Sequence, residues 1–145
     1  MKVIGISVRT TNENWQSAQD IGALWEQFYT ENIFDKIPCK ISNDILAIYT
    51  DYKSNYQEEY TTIIGCEVSE IDEIPVGCIA REFCTENFKT FIAKGQMPEA
   101  IVGVWTEIWA QDKTLDRKYT YDFERYTEKS YQGENSEVEI CIATN

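Results

Sequence analysis

At 145 residues, 43% hydrophobic and 13% aromatic, the chain has the length of one domain and enough apolar material for one core, which excludes disordered and fibrous classes. Its 25 Asp and Glu against 13 Lys and Arg give a net charge of -12, spread along the chain, a field that repels phosphate backbones, excludes direct nucleic-acid binding and favours cations. There is no histidine, so Ser-His and Cys-His nucleophiles and the usual catalytic zinc ligand are excluded, and any catalysis rests on carboxylates, tyrosines or cysteines.

Residues 2–9 alternate as a first strand, with Ile4, Ile6 and Val8 on one face. From Trp15 to about Ile33 the residues Ala18, Ile21, Leu24, Trp25 and Phe28 recur at three- and four-residue steps, the stripe of an amphipathic helix. After a loop containing Pro38, residues 45–52 and 60–68 are rich in β-branched and aromatic residues and predict a hairpin. The acidic stretch Glu70 to Pro75 predicts a linker between halves of about 1–70 and 76–145. The second half repeats the order: a strand over residues 77–84, a helix opening at Gln96 to Glu99, and closing strands near 119–126 and 137–143. Adding 80 to the first stripe lays Leu24, Trp25 and Phe28 onto Val104, Trp105 and Ile108. The predicted fold is α+β, a β-α-β-β unit used twice in one domain spanning residues 1–145.

No window approaches the roughly 18 apolar residues of a membrane span, and Met1 to Ile6 is too short for a signal-peptide core. Five cysteines, Cys39, Cys66, Cys78, Cys84 and Cys141, lack CxxC spacing and are expected as reduced thiols in a cytoplasmic protein. No metal site, phosphate loop or cofactor is indicated.

Five segments in order, IGALWEQFY (21–29), YTDYKSNYQEEYTTIIGCEV (49–68), AKGQMPEAIVGVWTEIW (93–109), YTYDFERY (119–126) and EVEICIA (137–143), resemble the GyrI-like, or AraC-type, effector-binding domains. The branch they are most similar to is that of integron-associated effector-binding proteins. The resemblance implies a duplicated α+β module whose antiparallel sheets enclose a small-molecule pocket, often for bulky cationic or aromatic compounds. Relatives often carry a helix-turn-helix domain; this chain is similar to the stand-alone members.

The resemblance also implies a pocket glutamate in the penultimate strand, here Glu124. With Tyr121 and Phe123 turned to the helix, alternation carries Glu124 and Tyr126 to the opposite surface, where the pocket is expected. A partly desolvated carboxylate there attracts a cation strongly. In the last strand Val138, Ile140 and Ile142 leave Glu139 on the other face as a second candidate acid. Trp25, Trp105 and Tyr52, with Trp109, Tyr49 and Tyr60 in matching segments, are candidates for stacking on a flat cation. The leading function is sequestering or sensing a cationic aromatic molecule. The alternatives are hydrolysis of strained cyclopropane-type toxins, with Glu124 as base and Tyr126 polarising the electrophile, and a gyrase-inhibitor-like protein interaction. A homodimer or a separate protein partner stays open.

Overall fold

The structure is a computed structural model that describes residues 1–145. Its elements run β1 (Lys2–Thr10), α1 (Gln16–Thr30), α2 (Ile33–Lys36), β2 (Ile45–Thr50), β3 (Tyr60–Val68), β4 (Ile79–Glu82), β5 (Asn87–Lys94), α3 (Glu99–Ala110), α4 (Asp112–Leu115), β6 (Tyr121–Tyr126) and β7 (Glu137–Thr144). The strands form one antiparallel sheet in the order β4-β1-β3-β2-β6-β7-β5. The α+β class is as the alternation and the two helical stripes predict. No helix is long and apolar enough to cross a membrane.

The strand order is symmetric about the β2–β6 pair, with β1-β3-β2 on one side and β5-β7-β6 on the other. Residues 77–84, expected as the first strand of the second half, do not hold that place. Their strand β4 pairs with the outer edge of β1, Gly5 facing Ile79 and Lys2 facing Glu82. The place is taken by β5, whose sequence NFKTFIAK hides its pattern. It is an edge strand whose polar Lys89 and Thr90 meet solvent, so only Phe91 and Ala93 mark its helix-facing side.

Strands β4 and β5 end the sheet on opposite sides, yet only residues 83–86 join them. In a flat sheet the two would stand roughly 29 Å apart, while the link reaches at most about 17 Å. The sheet is therefore rolled, and the link crosses its concave face. Phe83 fills that face against Val3, Leu46, Ile63, Tyr121 and Phe123, with its ring 4.6 Å from that of Tyr121. The convex face carries the helices. Leu24 and Phe28 of α1 pack on Ile4, Ile6, Ala47 and Ile64, and Ile108 of α3 packs on Ala93, Val138, Ile140 and Ile142.

Rolling crowds the inside of the sheet at one point, where Gly5 faces Gly65 across β1 and β3. A Cβ built on Gly5 lies 2.2 Å from the carbonyl oxygen of Ile64, and one on Gly65 lies 2.2 Å from that of Ile4. Backbone atoms cannot step aside as a side-chain end can. Gly5→Ala is expected to lower unfolding free energy by about 1–3 kcal/mol, the usual cost of overpacking, seen as a lower urea midpoint with unchanged slope. Gly22→Ala, on the open face of α1 with nothing within 4 Å, is expected to be neutral or stabilising.

Candidate functional site

Helix α1 rests on β1 and β3, and α3 on β5, so the central pair β2–β6 runs between the two helices. On this seam the side chains of Asp122, Glu124 and Tyr126 from β6 and Tyr49 from β2 share the helix side, because cross-strand partners share a face. Alternation along β6 is as predicted, but the faces are exchanged. Tyr121 and Phe123 fill the concave core under Phe83, and Glu124 and Tyr126 point between the helices. The reason is the rolled sheet, which makes the part of the other face around Tyr121 and Phe123 a second closed core rather than an open surface.

Glu124 is only 2% exposed, and its carboxylate takes three hydrogen bonds. The Tyr126 hydroxyl donates to Oε1 at 2.5 Å, and the Tyr49 hydroxyl and Trp105 Nε1–H donate to Oε2 at 2.9 and 2.6 Å. All three donors are neutral, and no ion pair of the molecule includes Glu124. Burial pushes its pKa up, and the three donors pull back against that. The Tyr49 and Tyr126 hydroxyls are held well above the ordinary tyrosine range by burial and by the Glu124 charge, so they remain donors.

Asp122, two residues earlier on the same face and 0% exposed, is treated differently. Arg117 Nη2 donates to its Oδ2 at 2.8 Å, the Tyr52 hydroxyl to the same oxygen at 2.5 Å and the Ala143 N–H to Oδ1 at 2.9 Å. Arg117 also meets Asp112 at 3.3 Å and lies over the Tyr119 ring at 4.3 Å. Of two neighbouring buried carboxylates, one has its cation and the other does not.

Aromatic rings enclose the unpaired one. The Trp25 ring stands edge-on to Tyr126 at 5.0 Å, Tyr49 meets Trp105 at 5.4 Å and Tyr60 at 6.0 Å, and Tyr52 meets Tyr60 at 5.8 Å. At the end near α3, Tyr56 of the loop after β2 stacks on Trp109 at 5.6 Å. Trp25 and Trp105, which the 80-residue offset superposes, reach the seam from opposite helices.

The structure thus brings Glu124, Tyr126, Trp105 and Trp25 together and places Tyr52 alongside, on Asp122. It turns Glu139 to the other face of the sheet, away from Glu124, although Tyr126 and Glu139 line one surface cleft. That residue faces Arg125 and Ile92 on the side away from the helices, accepts a long hydrogen bond of 3.4 Å from the Cys141 thiol and lines a surface cleft of about 580 Å³ with Tyr131 and Glu137. The exchange of faces is the cause: Glu124 pairs with Ile140 on the helix side, so Glu139, one residue out of phase, faces the other surface. Tyr49 and Asp122 were in reach of the alternation argument, since both lie in phase with Glu124 across the β2–β6 pair. Arg117 follows a short helix and has no periodic signal.

The chain matches the integron-associated effector-binding protein family over residues 1–144. It belongs to that family. A solved integron cassette protein from the mobile metagenome of Vibrio cholerae is 30% identical, with a TM-score of 0.74 covering 100% of this chain and 90% of that one. The structure of SAV2435 bound to tetraphenylphosphonium superposes with a TM-score of 0.82 over 100% of this chain and 88% of that one, at 16% identity, a likeness of fold. Among curated proteins, Bacillus subtilis (strain 168) YobU, whose name describes a transcriptional regulator, is 27% identical over 143 residues, 96% of this chain and 89% of its own length.

Burial pushes both carboxyls up, but only Asp122 holds a buried arginine, so the two should answer mutation with opposite signs. Glu124 has a folded-state pKa raised above its unfolded value, so the stability it allows is complete below the unfolded pKa and is lost as pH rises through the folded one. Glu124→Gln is therefore expected to raise Tm by about 3–6 °C at pH 8, the shift that about 1–2 kcal/mol gives in a domain of this size, with the difference closing by pH 4. Asp122→Asn leaves Arg117 buried without its nearest partner, and urea denaturation should show a loss of about 3–5 kcal/mol.

Proposed function

We propose that the chain binds aromatic cations at Glu124, with the ligand seated in the seam between α1 and α3. The observation that carries this reading is the buried Glu124 carboxylate, met by three neutral donors and no cation. An ionised carboxylate in such surroundings gains far more from a positive charge than an exposed one does, because water no longer screens it. The rings of Trp25, Trp105, Tyr49 and Tyr126 add stacking and cation–π surface of about 0.5–2 kcal/mol each. The bound tetraphenylphosphonium of a protein with the same fold supports this ligand class.

Aromatic side chains fill the seam, and Glu124 lines neither the cleft beside Glu139 nor the one beside Tyr56 and Trp109. Binding then exchanges aromatic contacts of the protein for those of the ligand, a trade that tolerates ligands of varied outline. Such a site suits sequestering or sensing a range of compounds. With a net charge of -12, direct reading of DNA by this chain is unfavourable, so a regulatory role runs through a second protein. Five unpaired thiols suit a reducing cytoplasm.

Titration calorimetry with tetraphenylphosphonium and with neutral triphenylphosphine oxide tests the reading. The cation should bind wild type and lose about 10- to 100-fold in affinity on Glu124→Gln, as loss of a charged partner costs about 1.5–3 kcal/mol, while the neutral compound should be indifferent to the substitution. Cation affinity should also fall as pH is lowered into the raised Glu124 range, because protonation removes the attracting charge. No binding of the cation by wild type, or equal binding by both proteins, overturns the proposal.

A further inference from the structure

Two buried side-chain polar atoms in the molecule have no hydrogen-bond partner, the Thr62 hydroxyl and Arg117 Nε. They lie on either side of Tyr49 in the seam, Thr62 on β3 and Arg117 on Asp122 of β6. Thr62 of β3 faces Tyr49, and Tyr49 faces Asp122, the residue that Arg117 holds. One cross-strand row therefore carries an orphan donor at Thr62, the Tyr49 ring, and a second orphan donor on the arginine bound to Asp122. Glu124 stands in the next row on the same face, opposite Ala47. From strand spacing and rise, Thr62 and Glu124 are about 12 Å apart along the diagonal, with Tyr49 between them.

An orphan hydroxyl on a fully buried residue costs about 1–3 kcal/mol. Thr62 is 0% exposed, and valine would fit a strand interior equally well without that cost. The Arg117 Nε–H is buried in the same way, on a side chain that is 1% exposed. The charge of Arg117 is met by Asp122 and Asp112, so what remains is a neutral hydrogen-bonding demand rather than an anion site.

Building on the cation-binding reading above, we infer that the site has a second, hydrogen-bonding end at Thr62, across Tyr49 from the Arg117–Asp122 pair, which holds an uncharged oxygen acceptor of an aromatic cation. Ligands of the favoured class carry their positive charge at one end of the ring system, over Glu124, and a carbonyl, ether or hydroxyl oxygen at the other. A plain hydrocarbon cation satisfies only the first end.

The test compares tetraphenylphosphonium with the ortho, meta and para isomers of (acetylphenyl)triphenylphosphonium, which add one carbonyl to the same cation. At least one isomer should bind wild type about 3- to 10-fold more tightly than the parent, the range for one added neutral hydrogen bond. Thr62→Val should abolish that preference, so that within the variant every isomer binds no more tightly than the parent, while its Tm rises because the orphan hydroxyl is gone. Glu124→Gln should weaken parent and isomers alike and keep the preference. A preference that survives Thr62→Val, the absence of any preference in wild type, or a Tm several degrees lower in Thr62→Val overturns this inference. If Glu124→Gln leaves tetraphenylphosphonium binding unchanged, the cation-binding reading falls first, and this one with it.

Discussion

A carboxylate buried without a cation is the constraint around which the convex side of this molecule is arranged. Glu124 accepts hydrogen bonds from Tyr49, Trp105 and Tyr126, which come from β2, α3 and its own strand. Each donor removes part of the desolvation penalty, and none removes the charge. The donors are held in turn by rings that touch them, Trp25 on Tyr126 and Tyr60 on Tyr49. Asp122 shows what the fold does where it wants a closed structure: a guanidinium, a phenol and a backbone amide complete the group.

The rolled sheet decides where such a group can lie. One face closes on itself around Phe83 and becomes a core, open only at the cleft beside Glu139, while Glu124 lies on the other face, between the helices. Each helix seals its own half, and the symmetric strand order leaves the β2–β6 seam to side chains alone. Large rings with polar tips suit that task, since they bury area while keeping a hydroxyl or indole N–H for Glu124.

Much of the architecture was legible from local pattern. The strand over residues 60–68 is observed at the same bounds, β1 and both helical stripes lie where the spacing predicts, and Ile4, Ile6, Leu24, Phe28 and Ile108 are core residues. Strand β5 was not legible, because an edge strand needs only one buried face and its lysines and threonine break the run. The mistaken strand at 77–84 contains a real one, but with β1 as its neighbour, a pairing that no local pattern encodes.

The sequence by itself determined which residues of β6 stand together: period-two geometry is local, so Glu124, Tyr126 and Asp122 had to share a side whatever the rest of the chain did. It equally determined that Glu139, out of phase with Ile140, faces away from the side on which Ile140 lies. Tertiary structure alone decided that Glu124 stands on the helix side, because that depends on how far the sheet rolls and on a four-residue link passing over its inner face. It also decided that Arg117 reaches Asp122 and not Glu124, a choice made by the turn after α4 and the strand beside it. The charge that remains unpaired is a consequence of packing, and so is the site.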